Sequence, residues 1–394
     1  MPDRRIGMNR RHLTVVVAAT AMLGVLALVP EPAGATRAPR SLAGGKPSNT
    51  YGVSCAPGGC VVVGVSLVTQ EPKAWTLHDR GWHANTLPSG RGPSTLIGVS
   101  CPKMNMCIGV GIVGVYGDGD GGGSSSKGFA EQLSAGAWHK MALPAGAPGL
   151  YSISCVSATW CMAVGSEVVD QIANTTKTVE LKWNGATWRK VTAPINSLTG
   201  PNPWIDAVSC LSMNFCMAAG YSDQYTPLAE AWNGTAWTVT TPPPVSVFMT
   251  FRELRAISCA SASSCLAVGA EYGCCGAYDG FELAWDGSSW TNVSDQSNQF
   301  SLSGVSCTKV TLCLVVGTQG PSDSQPIVPS AVVEKFDGTT WTGIHVKAVW
   351  KQSALNAVSC SNANWCAAVG SYTTGSGVTF PLVERWNGRT LNRV

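Results

Sequence analysis

The chain has 394 residues, of which 16 are Cys, 15 are Trp and only 12% are charged. Low charge combined with 45% apolar residues excludes an intrinsically disordered protein, which needs the opposite balance. The formal net charge of +3 excludes the strongly basic class of nucleic-acid-binding proteins.

The first 35 residues have the composition of an export signal. Four arginines between positions 4 and 11 precede an apolar stretch of 17 residues, from Leu13 to Val29. Ala33-Gly34-Ala35 matches the small-residue cleavage pattern, so we expect removal of residues 1–35 after general secretory export. A membrane anchor is one alternative, and twin-arginine export, suggested by Arg10-Arg11, is another.

Cleavage would leave a secreted or envelope-located chain of almost balanced charge. Residues 1–35 hold four Arg, one Asp and one Glu, so 22 basic and 21 acidic residues remain. This balance predicts no long-range electrostatic steering and no nucleic-acid partner. No second long apolar run follows, so we expect no stable membrane insertion. Residues 36–48 are polar and rich in Gly and Pro, which predicts a linker.

Residues 49–394 contain one motif seven times. Val or Ile followed by Ser-Cys recurs at intervals of 46 to 55 residues, ending at Cys55, Cys101, Cys155, Cys210, Cys259, Cys307 and Cys360. A second Cys follows each of these, at Cys60, Cys107, Cys161, Cys216, Cys265, Cys313 and Cys366. A Gly then follows every second Cys, with three residues between them. Such self-similarity at a fixed period is typical of repeat architectures.

Each repeat predicts four short strands and no helix. The first strand ends at the Ser-Cys pair, the second ends at the Gly, and an Asn-Gly or Asp-Gly turn joins the third to the fourth in repeats three to seven. Seven such units predict an all-β, seven-bladed β-propeller of four-stranded antiparallel blades. A solenoid is the alternative, but the terminal repeats lack the distinct caps that it needs. The blades are expected at about 49–95, 96–149, 150–204, 205–253, 254–301, 302–354 and 355–394.

The third strand and its hairpin carry a family resemblance. An aromatic residue, Asn or Asp, Gly, two further residues and Trp form the hairpin, as in Trp232 to Trp237. With the Gly that closes the second strand, this pattern resembles the kelch repeat and the propeller of galactose-oxidase-like proteins. The hairpin also resembles the Asp-box of sialidase-type propellers. The resemblance covers residues 51–394 and implies the fold alone.

The paired cysteines predict one disulfide in each blade. Regular pairing in an exported chain is typical of disulfides, and each bond would join the first strand to the second. Zinc is the alternative, but a ring would hold the pairs apart. Cys274 and Cys275 are adjacent and lie outside the pattern. They could form a bond with each other, an intermolecular bridge or an ordinary exposed pair.

Residues that recur in every repeat are expected to be structural, and residues that do not recur are candidates for ligand binding. A Glu lies two or three residues before the large apolar residue that ends the third strand in six repeats, which predicts a recurring hydrogen-bond or charge pairing within each blade, at Glu131, Glu180, Glu230, Glu282, Glu334 and Glu384. The connections from second to third strand and from fourth to next first strand vary, and they share one face of a propeller. We therefore expect ligand binding at the aromatic residues of these connections, Tyr116, Trp204, Tyr225, Phe248, Phe251, Tyr272 and Trp350. The alternative is that these residues pin loops to the blades.

The catalytic and metal-binding inventory is thin. No nucleophile elbow, zinc-protease motif or phosphate loop is present in the sequence. Asp118 and Asp120 resemble half of a calcium loop, but a flexible Gly-rich loop is favoured. We expect no cofactor and a secreted, monomeric, non-enzymatic propeller that binds an extracellular or envelope glycan or protein. A carbohydrate-active hydrolase or lyase on the same scaffold is the alternative function, and two carboxylates converging at the propeller mouth would favour it.

Overall fold

Each of the seven sequence repeats forms one four-stranded antiparallel sheet, or blade, in the computed structural model of the chain. The structure describes residues 46–78, 81–88, 90, 92–114, 127–170, 175–197, 202–222, 226–243, 251–272, 278–294, 300–319, 328–346 and 352–394. Within every blade the strands pair in chain order, first to fourth. The first strands of successive blades contact one another around the whole ring and line a central channel. The predicted seven-bladed propeller is confirmed.

The strands of the seven blades are, in chain order, β1 (Ser48–Ala56), β2 (Gly59–Ser66), β3 (Pro72–His78) and β4 (Gly81–Ala84); β5 (Ser94–Lys103), β6 (Met106–Val113), β7 (Gly128–Ser134) and β8 (Ala137–Met141); β9 (Leu150–Ser157), β10 (Trp160–Asp170), β11 (Thr175–Trp183) and β12 (Trp188–Val191); β13 (Pro203–Ser212), β14 (Phe215–Ser222), β15 (Pro227–Trp232) and β16 (Trp237–Thr240); β17 (Phe251–Ser261), β18 (Ser264–Tyr272), β19 (Tyr278–Trp285) and β20 (Trp290–Asn292); β21 (Phe300–Lys309), β22 (Leu312–Gln319), β23 (Ser330–Phe336) and β24 (Trp341–Ile344); β25 (Gln352–Asn362), β26 (Trp365–Thr373), β27 (Thr379–Trp386) and β28 (Leu391–Arg393). One 3₁₀ turn, Pro194–Ser197, follows β12.

All seven predicted disulfides are present. They join Cys55–Cys60, Cys101–Cys107, Cys155–Cys161, Cys210–Cys216, Cys259–Cys265, Cys307–Cys313 and Cys360–Cys366. Each bond connects the first strand of a blade to the second near the same end, which we call the disulfide face. The opposite end, where the variable connections lie, is called the variable-loop face. Seven disulfides indicate an oxidising environment, typical of proteins outside the cytoplasm.

The Ser before each first Cys joins neighbouring blades. Its Oγ accepts a hydrogen bond from the backbone N–H of the first Cys in the next blade, at 2.9 to 3.0 Å in all seven places. The seventh bond runs from the N–H of Cys55 to Ser359 and closes the circle. The repeated Val/Ile-Ser-Cys motif therefore joins the first strands of neighbouring blades by hydrogen bonds around the whole ring.

The repeated Gly fits a bulge in the strand beside it. In every first strand the pairing with the second strand skips one residue, four positions before the Cys. A Cβ added at Gly220 would lie 1.9 Å from the carbonyl oxygen of Trp204, and the six equivalent glycines show distances of 1.8 to 2.2 Å. No side chain fits in that gap. The Gly thus allows the second strand to pack against the bulge.

The hairpins between third and fourth strands form as predicted in blades three to seven. The side-chain oxygen of the Asn or Asp accepts bonds from the backbone N–H groups two and three residues later, as Asp286 does from Ser288 at 2.8 Å and Ser289 at 2.7 Å. The following Gly has a positive φ, 101° at Gly287. These hydrogen bonds lower the pKa of the exposed Asp286. The turns stabilise the disulfide face.

Within the described residues, the first and last blades meet without exchange of a strand. Strands β1 to β4 form one sheet and β25 to β28 another, as predicted. The contact includes hydrogen bonds as well as packing, from Thr50 Oγ1 to the carbonyl of Gly370 at 2.6 Å and from Asn356 Nδ2 to the carbonyl of Thr50 at 2.8 Å. Residues 1–45, with the expected signal and most of the linker, lie outside the described part. Among the described residues, no helix has the length and apolar character required to cross a bilayer.

Candidate functional site

The central channel contains a cavity of about 600 Å³. Its walls come from the first strands of all seven blades, with one further contribution from Tyr221 on β14. Small-molecule sites in proteins commonly have volumes of 300–1,000 Å³. The serines that precede the first Cys of each repeat are called the serine ring. The cavity extends from the bulges toward this ring, at the disulfide face.

The seven bulged residues line this cavity. They are Tyr51, Ile97, Tyr151, Asp206, Arg255, Ser303 and Asn356, one from each blade. We call them the bulge ring. The residue before each bulge is fully buried, as Ile205 and Leu254 are. A β-bulge leaves its extra residue outside the ladder and re-aims its side chain, so the scaffold holds seven side chains toward the channel.

The bulge ring differs in kind from blade to blade. The next three positions of the strand repeat closely: a small residue, then Val or Ile, then Ser. Within this regular stretch only the bulged position changes between aromatic, aliphatic, acidic, basic and amide side chains. Blades one and three contribute tyrosines, while blades four and five contribute opposite charges. The channel therefore has an aromatic side and a charged side.

Arg255 organises the charged side. Its guanidinium forms an ion pair with Glu253, donates to the hydroxyl of Tyr272 and donates to Ser301 Oγ at 2.6 Å. The hydroxyl of Tyr272 in turn donates to Glu253. Burial by itself would lower the pKa of Arg255, but Glu253 and then Tyr272 raise it. The charges of Arg255 and Glu253 are thus balanced by each other.

Asp206 is a channel carboxyl group that Arg255 stabilises only at a distance, without an ion pair among the described residues. It lies in the neighbouring blade, half-buried, and accepts no hydrogen bond from any residue that the structure describes. Burial and the nearby Glu253 carboxylate raise the pKa of Asp206 to about 7, against the opposing effect of Arg255. Asp206 consequently changes charge close to neutral pH.

The part of the aromatic side that belongs to blade three lies beside the blade of Asp206. The ring centroids of Tyr151 and Trp204 are 6.4 Å apart and the rings are tilted by 36°. Trp204 is paired across the ladder with Tyr221, which also lines the cavity. Three aromatic residues from blades three and four therefore flank one carboxyl group. Such rings combine apolar area with a negative face that attracts cations.

Three of the seven aromatic residues predicted for the site are described, and they lie at the variable-loop ends of blades four and five. Trp204 contacts the channel residue Tyr151, and Tyr272 holds the channel pair Arg255 and Glu253. Phe251 is the ladder partner of Tyr272 and is 43% exposed. The remaining predictions, Tyr116, Tyr225, Phe248 and Trp350, fall outside the described residues. Cys274, Cys275 and the weak calcium candidates Asp118 and Asp120 also fall outside them.

The bulge ring was missed because the search for binding residues was confined to connections. Asp206 and Arg255 lie within strands β13 and β17, where a repeat protein is expected to hold scaffold residues. A signal was nevertheless present: the position four residues before the first Cys is variable inside an otherwise regular segment. Among the described residues, no group of three or more His, Cys, Asp or Glu has an arrangement that could hold a metal ion.

The six repeated Glu residues differ in their partners: Glu384 lies beside Arg393 of its own blade, as predicted, and Arg393 opposes the rise in its pKa that burial causes. All six are buried, but Glu230 Oε1 accepts a bond of 2.7 Å from the backbone N–H of Ile195, which belongs to the preceding blade. The interaction at Glu230 is thus between blades, not within one, because the face of the strand that carries Glu230 packs against its neighbour. In blade one the ladder position equivalent to Glu230 is held by Trp75, also fully buried. None of the six repeated Glu residues lines the channel cavity.

Comparison with known proteins bears on the fold through one solved structure. No protein-family model and no curated protein matches the sequence. YCF48 from Cyanidioschyzon merolae is similar in structure, with a TM-score of 0.55 and 12% identity over 86% of this chain and 96% of that one. A protein of unknown function from Dyadobacter fermentans aligns with a TM-score of 0.48 and 11% identity, over 87% of this chain and 95% of that one. The likeness to YCF48 supports the propeller fold, whereas a specific kelch relationship receives no support.

Proposed function

We propose that the chain is a secreted, non-enzymatic binding propeller that recognises an extracellular or cell-envelope glycan or protein. The ligand binds where the central channel opens toward the variable-loop face. The observation that carries this proposal is the bulge ring, since it places six different types of side chain at seven equivalent scaffold positions around one cavity. Binding residues held on rigid strands lose little conformational entropy on association.

The distribution of aromatic residues supports the same face. Trp204 and Tyr272 connect the channel wall to the variable-loop ends of blades four and five. Phe251 extends the patch outward and leaves part of its ring exposed. Large aromatic side chains supply much of the binding energy in protein and ligand recognition. A partner that covers this patch can also reach the channel.

Replacement of Trp204 by Ala tests the proposed face. We expect binding of the mature chain, residues 36–394, to cell-envelope glycans and surface proteins to weaken at least about tenfold, because a central aromatic contact is removed. The measurement is biolayer interferometry on immobilised envelope fractions. Trp285→Ala, a change of the same size on a hairpin of the disulfide face, is the matched control. Unchanged affinity of Trp204→Ala together with reduced affinity of Trp285→Ala would show that the ligand binds at the disulfide face, and would contradict the proposal.

A carbohydrate-active hydrolase is the second candidate function, favoured by one observation. Two carboxyl groups, Asp206 and Glu253, line the same cavity. Burial raises the pKa of Asp206 to about 7, which suits a general acid in glycoside hydrolysis, and Glu253 would be the second carboxyl group of such a site. Turnover of fluorogenic glycosides that is lost in Asp206→Asn would establish the enzyme, and binding without turnover would support the binding protein.

A further inference from the structure

The carboxylate of Asp206 lacks a hydrogen-bond donor among the described residues. It faces a cavity and lies near a second carboxylate, Glu253. The only cation that lines the cavity among those residues, Arg255, is already bonded to Glu253, Tyr272 and Ser301. Counting Asp206 as ionised, these three charged groups carry a net charge of −1. A partly buried carboxylate without an ion pair or hydrogen bond is costly, so the site favours a ligand that supplies a cation and hydrogen-bond donors.

The walls around Asp206 suit a compact cation. The titratable groups that face the channel with it are Glu253, Arg255 and the phenols of Tyr51, Tyr151 and Tyr221. Phenols are neutral near pH 7, and aromatic faces attract ammonium groups. An uncharged hydroxyl group would supply a donor but would leave the net charge uncompensated. An ammonium group supplies three donors and the charge together.

We propose that the central channel binds a primary ammonium group, with Asp206 as its counter-ion and with Tyr221 of the same blade and Tyr151 of the adjacent blade beside it. This inference rests on the proposed function, since it names the chemical group by which the extracellular ligand is anchored. A lysine side chain of a partner protein and a free amino sugar both carry this group. Either is small enough for a cavity of about 600 Å³.

Proton linkage gives the pH dependence of this binding. Because Asp206 must be ionised to pair with ammonium, and its pKa is about 7, its ionised fraction is about tenfold larger at pH 8 than at pH 6. The ligand's own amine stays protonated below pH 8 when it is a lysine side chain. Affinity for a lysine probe therefore rises about tenfold from pH 6 to pH 8.

Calorimetric titration of the mature chain with matched probe pairs tests the proposal. Nα-acetyl-lysine methylamide is compared with its norleucine counterpart, and glucosamine with N-acetylglucosamine; the first pair represents a polypeptide and the second a glycan. We expect the amine of at least one pair to bind at least tenfold more tightly than its neutral partner. We also expect Asp206→Asn to abolish this preference. Glu71→Gln, which removes an exposed carboxylate on the same face, is the control and should retain it.

Several outcomes would overturn the inference. These are no binding of either amine, equal binding of the neutral partners, or an undiminished preference in Asp206→Asn. Should Asp206→Asn fail to fold, the pH dependence of the unmodified chain decides, and a constant affinity for the lysine probe from pH 6 to 8 contradicts the proposal. Loss of envelope binding in Trp204→Ala without any amine binding would leave the proposed function standing alone. Amine binding together with envelope binding that Trp204→Ala leaves unchanged would support the ammonium site and contradict the proposed function.

Discussion

The serine before each first Cys shows how one side chain can join two blades. Ser209 in blade four accepts the N–H of Cys259 in blade five at 3.0 Å, and six equivalent bonds complete the circle. Both ends of each bond lie in innermost strands, beside the cavity wall. Hydrogen bonds there hold neighbouring first strands at a fixed separation. The repeated serine is therefore a structural residue, although it lines the channel in several blades.

Removal of one serine should weaken the ring measurably. We expect Ser209→Ala to lower the free energy of unfolding by about 1 kcal/mol, because the N–H of Cys259 then loses its acceptor in a largely buried place. Chemical denaturation at equilibrium, under non-reducing conditions, measures the change. Ser376→Ala, in an exposed connection, serves as the control and should change the stability by less than about 0.5 kcal/mol. Equal stabilities of the two variants would contradict the structural role of the serine ring.

At the scale of the strand, the contacts of a repeated residue depend on the face of the sheet that carries it. Glu180 is three residues before Trp183, whereas Glu230 is two residues before Trp232, so the two carboxyl groups lie on opposite faces of their blades. Blades three and four are adjacent, and these faces meet. Burial and the nearby Glu230 raise the pKa of Glu180 to about 8, and burial raises the pKa of Glu230 to about 7.

This pair predicts a loss of stability with rising pH. The folded-state pKa of each carboxyl group is above its unfolded value, so the folded chain binds more protons between about pH 4.5 and pH 8. The free energy of unfolding therefore falls across this window. Glu180→Gln resembles the protonated acid in shape, and we expect it to raise stability at pH 8 by at least about 1 kcal/mol relative to its effect at pH 5.

Denaturant titrations at pH 5, 6.5 and 8 check the prediction. Glu71→Gln is the matched control, because it makes the same chemical change at an exposed site and should leave the pH profile unaltered. A Glu180→Gln profile that runs parallel to that of the unmodified chain would show that the interface does not carry the titration.

At the scale of the whole molecule, the features that could be predicted from the sequence are those that depend on recurring local motifs. The pairing of Cys210 with Cys216 and the blade count depend on local patterns that recur seven times, and the hairpin at Asp286-Gly287 depends on one that recurs five times. The bulge ring was not predicted, because a one-residue skip in strand pairing depends on how closely two backbones approach. The variable position of Asp206 inside the motif was visible, but its direction toward the channel was not. For the same reason, the neighbour of Glu230 could not be inferred from its place in a strand.

In the ring as a whole, one set of residues holds the blades together and another set is available for ligand recognition. The serines, glycines and disulfides recur and hold the blades, while one bulged residue per blade is free to differ. Such a design allows the channel to change its ligand without a change in the scaffold. Among the described residues, the electrostatic asymmetry of the channel lies chiefly in blades four and five, at Asp206, Glu253 and Arg255.

A crystal structure of residues 36–394 grown with Nα-acetyl-lysine methylamide tests the central claim, that the channel is the binding site, most directly. The account predicts the probe inside the bulge ring, with its ammonium nitrogen about 2.7–2.9 Å from a carboxylate oxygen of Asp206 and with Arg255 still bonded to Glu253. A probe bound only on the disulfide face or on the outer strands, with the channel of the same crystal open and Asp206 in contact with water alone, would contradict it.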